Sequence, residues 1–127
     1  MYKKVLLVTI VFGLLTILFA ACTIRDSSQA AAGPAVHMGG ADFLQKSVTI
    51  KKGDSVNLVD DSTSPHIIVN GSWVGSTQKP AQEPGAPTVK LQFNGNDSAP
   101  MGPFNTAGTF HVYCTIHQGM NLEVIVQ

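Results

Sequence analysis

Cys114, His117 and Met120 stand three residues apart in the stretch Thr109-Phe110-His111-Val112-Tyr113-Cys114-Thr115-Ile116-His117-Gln118-Gly119-Met120-Asn121-Leu122. Thiolate, imidazole and thioether form a soft donor set, which selects copper over magnesium, calcium or manganese. A trigonal site of two histidines and one cysteine with a weak axial methionine needs a second histidine. His37, His66 and His111 are the candidates. His111 falls on the opposite strand face from Cys114, and His37 sits at the domain edge. His66 follows Pro65 at the head of an apolar strand and completes the set. Zinc also binds cysteine and histidine, but its common sites pair cysteines or histidines at short spacings and do not call on methionine, so one copper ion is the expected cofactor.

The elements that must position these donors are strands. From His37 onward, short β-type runs are separated by Gly, Pro, Asn and Asp, the pattern of a small all-β sandwich or barrel. Val48 and Ile50, then Val89, Leu91 and Phe93, then Leu122, Val124 and Val126 alternate with polar residues at period two. Phe110, Val112 and Cys114 share one face of the strand entering the donor loop, and Met120 shares a face with Leu122, Val124 and Val126 on the strand leaving it. If these are the core faces, thiol and thioether point inward at one end, with His117 on the five-residue loop between them. Asn70-Gly71 signals a turn, residues 71–87 read as a long surface loop, and Ala99-Pro100-Met101-Gly102-Pro103 reads as a turn near His117. Trp73, Asp60 and Asp61 show no partner pattern and read as structural.

The remaining chain is an address. Tyr2-Lys3-Lys4 precede an uncharged apolar run from Val5 to Ala21, the layout of a signal peptide over residues 1–21, with a retained membrane anchor as the alternative. Leu18-Phe19-Ala20-Ala21-Cys22 resembles a bacterial lipobox, which implies lipidation of Cys22. A cut after Ala30 is a further alternative. Residues 22–36, rich in Ala, Ser and Gly, read as a flexible tether, leaving 37–127 as the domain. With 8 basic and 8 acidic residues in 127, nothing favours nucleic acid. Removal of Lys3 and Lys4 leaves six basic residues against eight acidic, a formal charge of −2. A Cys22–Cys114 disulfide is the competing use of an even cysteine count in an exported protein. Lipidation of Cys22 would exclude it.

Ser64-Pro65-His66-Ile67-Ile68-Val69 followed by Gly108 to Met120 resembles the cupredoxins of the plastocyanin and amicyanin group, over about Ala41 to Gln127. The resemblance implies a Greek-key β-sandwich, one copper held by His66, Cys114, His117 and Met120, and single-electron transfer. It also implies an uncharged docking patch around the His117 ring edge, here with Pro65, Ile116 and Gln118. Tyr113, beside Cys114 and facing out, would be a second exit for electrons. Two residues depart from the pattern. Ile67 stands where plastocyanins often have an asparagine that ties the ligand loops, leaving that tie to Asn105 or Asn121, and Ile116 stands where proline is common. The expected protein is a monomeric, non-enzymatic carrier on the extracytoplasmic side of a bacterial membrane, serving redox protein partners of an electron-transport chain. A copper store or chaperone is the alternative. Four histidines, none in His-x-His pairs, are too few for a multicopper oxidase.

Overall fold

The computed structural model describes residues 33–127. The expected signal peptide over 1–21, Cys22 and residues 23–32 of the expected tether lie outside them. Nine strands and no helix occur among the described residues: β1 (Ala35–Met38), β2 (Ser47–Ile50), β3 (Val56–Asp60), β4 (His66–Val74), β5 (Thr77–Pro80), β6 (Lys90–Phe93), β7 (Ser98–Met101), β8 (Gly108–Cys114) and β9 (Asn121–Val126). They form two sheets. One has the order β1-β3-β7, with β1 parallel and β7 antiparallel to β3. The other runs β2-β9-β8-β4, with β2 parallel to β9 and β6 on the first half of β4.

The period-two alternation decides which faces meet. Val36, Met38, Val56, Leu58 and Met101 from the first sheet pack on Ile50, Ile68, Phe93, Phe110, Val112, Leu122, Val124 and Val126 from the second, all buried. Each such side chain withdrawn from water contributes about 1.5–3 kcal/mol, before the entropy cost of ordering the chain. The core begins earlier than the sequence suggests. Val36 is fully buried and Ala35 pairs with Asn57, so the last residues assigned to the tether already belong to β1.

Two further expectations are corrected. The segment 71–87 is not one loop: β4 continues to Val74 and pairs antiparallel with β5, Gly71 opposite Pro80 and Val74 opposite Thr77. Ile68 lies opposite Cys114 and Asn70 opposite Val112, so a straight β4 would carry Trp73 level with Thr109. Instead the Trp73 indole reaches the Cys114 carbonyl, which means the chain doubles back over the outer face of β8. Gly71 makes the bend, at a φ of 120° where a Cβ would collide with the Lys79 carbonyl. The Asn-Gly signal therefore marks a fold in a strand, not its end. The second correction concerns Ala99–Pro103. Ser98 pairs with Val59 and Met101 with Val56, which puts Met101 and Gly102 at the start of β3, the end of the sandwich remote from His66 and His117.

Candidate metal centre

The end of the sandwich that gathers donors is defined by strand direction. β3 ends there at Asp60, β4 begins there at His66, and β8 enters and β9 leaves there around the loop 115–119. Cys114 is the last inward residue of β8, so alternation from Phe110 and Val112 aims its thiol into the core, where it is fully buried. Met120 is fully buried just ahead of β9. Its amide donates to the His117 carbonyl at 3.2 Å and its carbonyl accepts from the Cys114 amide at 3.0 Å, which closes the loop on itself. Gly119 supplies the left-handed residue this closure needs, with φ at 78°.

Two imidazoles converge on the thiol. Cys114 Sγ lies 3.8 Å from His66 Nδ1 and 3.6 Å from His117 Nδ1, and the ring centroids are 4.8 Å apart. The three donor atoms fall within 4.8 Å of one another, the only such group of three or more His, Cys, Asp or Glu side chains among the described residues. Both histidines thus present the same nitrogen to one point beside one sulfur. His66 is fully buried, and burial holds its pKa below the ordinary 6.5, with the His117 ring adding to the effect against the opposing pull of Asp60, the Gly39 backbone and Asp97. A neutral imidazole is the form that can bind metal. With the buried sulfur of Met120 at the same end, the soft donors fit a single copper ion.

His37 and His111 stay away from this cluster. Each has a carboxylate partner: His37 Nδ1 lies 2.6 Å from Asp61, and His111 Nδ1 lies 2.7 Å from Glu83. Pro65, Ile116 and Gln118 are exposed, and His117 is half-buried. Tyr113 is not part of that surface. It does leave the core face, but the β4–β5 hairpin covers it: the Trp73 ring stands edge-on at 6.1 Å, the hydroxyl donates to Gln78 Oε1 at 3.2 Å, and exposure is 1%.

The tie that Ile67 cannot provide is made in three other ways. The Thr115 amide donates to the Ile67 carbonyl at 2.9 Å, joining the donor loop to the His66 strand through backbone alone. Trp73 Nε1 donates to the Cys114 carbonyl at 2.7 Å. Asn121 in turn grips the Trp73 backbone, accepting from its amide at 2.7 Å and donating to its carbonyl at 3.1 Å. Asn105, the other candidate, follows Phe104, whose backbone bonds Asp54 and Gly53 at the opposite end. Sequence reasoning missed Trp73. Its signal was a lone tryptophan two residues beyond Asn-Gly, legible only once the chain is known to double back.

A family model of copper-binding proteins, the plastocyanin/azurin family, matches residues 32–127. A chloroplastic plastocyanin of Physcomitrium patens is 29% identical over 99 residues, 72% of this chain but only 55% of its own length, so the chain spans little more than half of that relative. The crystal structure of amicyanin from Paracoccus versutus is 26% identical and superposes with a TM-score of 0.58, over 80% of this chain and 86% of that one. A purple cupredoxin from Nitrosopumilus maritimus, 16% identical, shares the fold with a TM-score of 0.57 over 74% of this chain and 99% of its own. The family match runs through all nine strands and takes in every donor gathered around Cys114; the chain belongs to the plastocyanin/azurin family of copper-binding proteins.

Proposed function

We propose that this chain is a blue-copper carrier of single electrons, in which His66, Cys114, His117 and Met120 would hold the copper. The observation that carries the reading is the convergence of His66 Nδ1 and His117 Nδ1 on a fully buried Cys114 sulfur at 3.8 and 3.6 Å. Copper held there supplies a Cu(I)/Cu(II) couple. The chain's own part is to fix donors. Cys114 is anchored in β8, Met120 by its backbone bonds to Cys114 and His117, and His66 by its pairing with Phe93 of β6, and all three are closed to water. Donors held in one arrangement need little rearrangement when an electron arrives or leaves. Burial of three donors of the four speaks against a store or chaperone, which needs ligands open to exchange.

His117 is the donor nearest solvent, and electrons pass at its ring edge, through the uncharged rim of Pro65, Ile116 and Gln118. Ile116 is 46% exposed there. Small, weakly charged patches suit brief redox encounters. In this reading the carrier works at the outer face of the cytoplasmic membrane, tethered through a lipid on Cys22, and exchanges electrons with protein partners of a membrane electron-transport chain. Metabolic labelling with a fatty acid checks the tether: Cys22→Ala loses the label and releases the protein from membranes, and retained label would refute the anchor. The site is tested by loading the purified domain with Cu(II). An intense thiolate-to-copper band in the visible with narrow copper hyperfine splitting is expected. A colourless complex would overturn the reading.

A further inference from the structure

Behind His66 lies a second buried ionisable side chain. Asp60 is the last inward residue of β3 and its side chain is fully buried, as is that of His66. Its Oδ1 accepts hydrogen bonds from the Ser62 amide at 3.0 Å and the Ser62 hydroxyl at 2.8 Å, and the same oxygen lies 3.7 Å from His66 Nε2. Asp60 Oδ2 and His66 Nε2 are both buried without a hydrogen-bond partner. The ring therefore has two distinct ends: Nδ1 faces the thiol, and Nε2 faces the carboxylate.

A buried carboxylate oxygen without a partner is costly, and so is a buried imidazole nitrogen without one. A proton on Nε2 faces an anion. The Nε2–H tautomer of His66 turns its proton toward Asp60 Oδ1, 3.7 Å away and fixed by Ser62, while Oδ2 stays without a partner. That tautomer leaves the Nδ1 lone pair free on the side where Cys114 and His117 converge.

We propose that Asp60 is a positioning residue for the copper site: it holds His66 as the Nε2–H tautomer with Nδ1 free, and its negative charge biases the site toward the oxidised ion. The inference rests on the donor assignment given above. A carboxylate behind a ligating imidazole makes the ring a stronger donor, and such partners commonly change metal affinity by about 10–100-fold. The extra charge favours Cu(II) over Cu(I), since a dication gains more from a nearby anion than a monocation does. Asp60 thus acts against Met120, whose soft thioether would favour Cu(I).

The isosteric variant Asp60→Asn removes the charge, keeps an acceptor for Ser62 and tests the idea in two ways. In the metal-free protein, nitrogen-15 NMR should find His66 protonated at Nε2, with its Nε2–H resonance moving upfield in Asp60→Asn. A proton on Nδ1 in the parent, or an unmoved resonance in the variant, overturns the proposal. In the copper-loaded protein, the variant should keep its thiolate band while Cu(II) affinity falls at least about tenfold relative to Cu(I), which raises the midpoint potential by ~59 mV or more. An unchanged or lowered potential overturns it. If the parent itself shows no thiolate band, the donor assignment fails, and the metal-free measurement still decides whether Asp60 orients His66.

Discussion

The metal centre is supported from two sides by different physics. On the inner side Asp60, fully buried, stands 3.7 Å from the far nitrogen of His66. On the outer side the β4–β5 hairpin lies over β8, and Trp73, itself gripped by Asn121, donates a neutral hydrogen bond to the Cys114 carbonyl. The inner support is a charge in a dry place, so it acts on the relative stability of two oxidation states. The outer support carries no charge. It acts on where the cysteine backbone sits, and hence on stability and rigidity. One end of a sandwich can in this way set potential and geometry with separate residues.

The variant with the largest effect removes the sulfur on which both imidazoles converge. Cys114→Ser replaces the sulfur at nearly constant shape, and the visible thiolate band of the copper-loaded protein should vanish entirely. The fold should survive, at a cost of about 1–3 kcal/mol for the buried hydroxyl, measured by denaturant unfolding of the metal-free protein. A surviving band would mean that another sulfur is the donor. Next in size is Met120→Gln, which exchanges a soft thioether for a harder oxygen and should lower the midpoint potential by ~59 mV or more, a tenfold change in relative affinity. This shift is opposite in sign to that of Asp60→Asn. Two variants that moved the potential in the same direction would break the assignment of roles.

The outer support predicts a different signature. Trp73→Phe keeps an aromatic ring against Tyr113 but leaves the Cys114 carbonyl without its donor, which should cost about 1–3 kcal/mol of stability. Asn121→Ala frees the Trp73 backbone at a similar cost. Because both act through one strap, their double-variant cycle should show a coupling of about 0.5–3 kcal/mol. The midpoint potential of Trp73→Phe should move less than that of Asp60→Asn. A larger shift would erase the division between charge and geometry.

The two supports also differ in how far the sequence announces them. The four donors are legible because alternation fixes Phe110, Val112 and Cys114 on one face and Met120, Leu122, Val124 and Val126 on another, and because soft donors at this spacing have few other uses. Core burial of these residues follows from the same period. Asp60 sits on that period too, two residues beyond Leu58, but an inward acid reads as a strand end unless its partner is known, and the partner is 6 positions on across a turn. Trp73 was unreadable for another reason. Its contacts with Cys114 and Asn121 span 41 and 48 residues and arise only because Gly71 folds β4 back on itself, a tertiary event that no local propensity encodes. The same fold covers Tyr113, which alternation alone places on an open face.

The smallest expected effect separates the two supports by pH, in the metal-free protein. Trp73 and Asn121 carry no ionisable group, so the outer support should add no pH dependence of its own. Burial holds the folded-state pKa of His66 below the ordinary 6.5. As pH falls through 6.5 the unfolded chain takes up a proton that the folded chain still refuses, and the unfolded state is favoured. The contribution of His66 is thus complete above 6.5 and declines below it, until the folded-state pKa is reached, by at most about 1.4 kcal/mol per pH unit for one proton. Urea unfolding between pH 7 and pH 5 checks this against His66→Asn, whose stability should fall less steeply over the same interval. Trp73→Phe should be less stable than the parent at every pH and run parallel to it. A Trp73→Phe curve that flattened with pH would show that the strap, too, reports the charge on His66, and that the two supports are one.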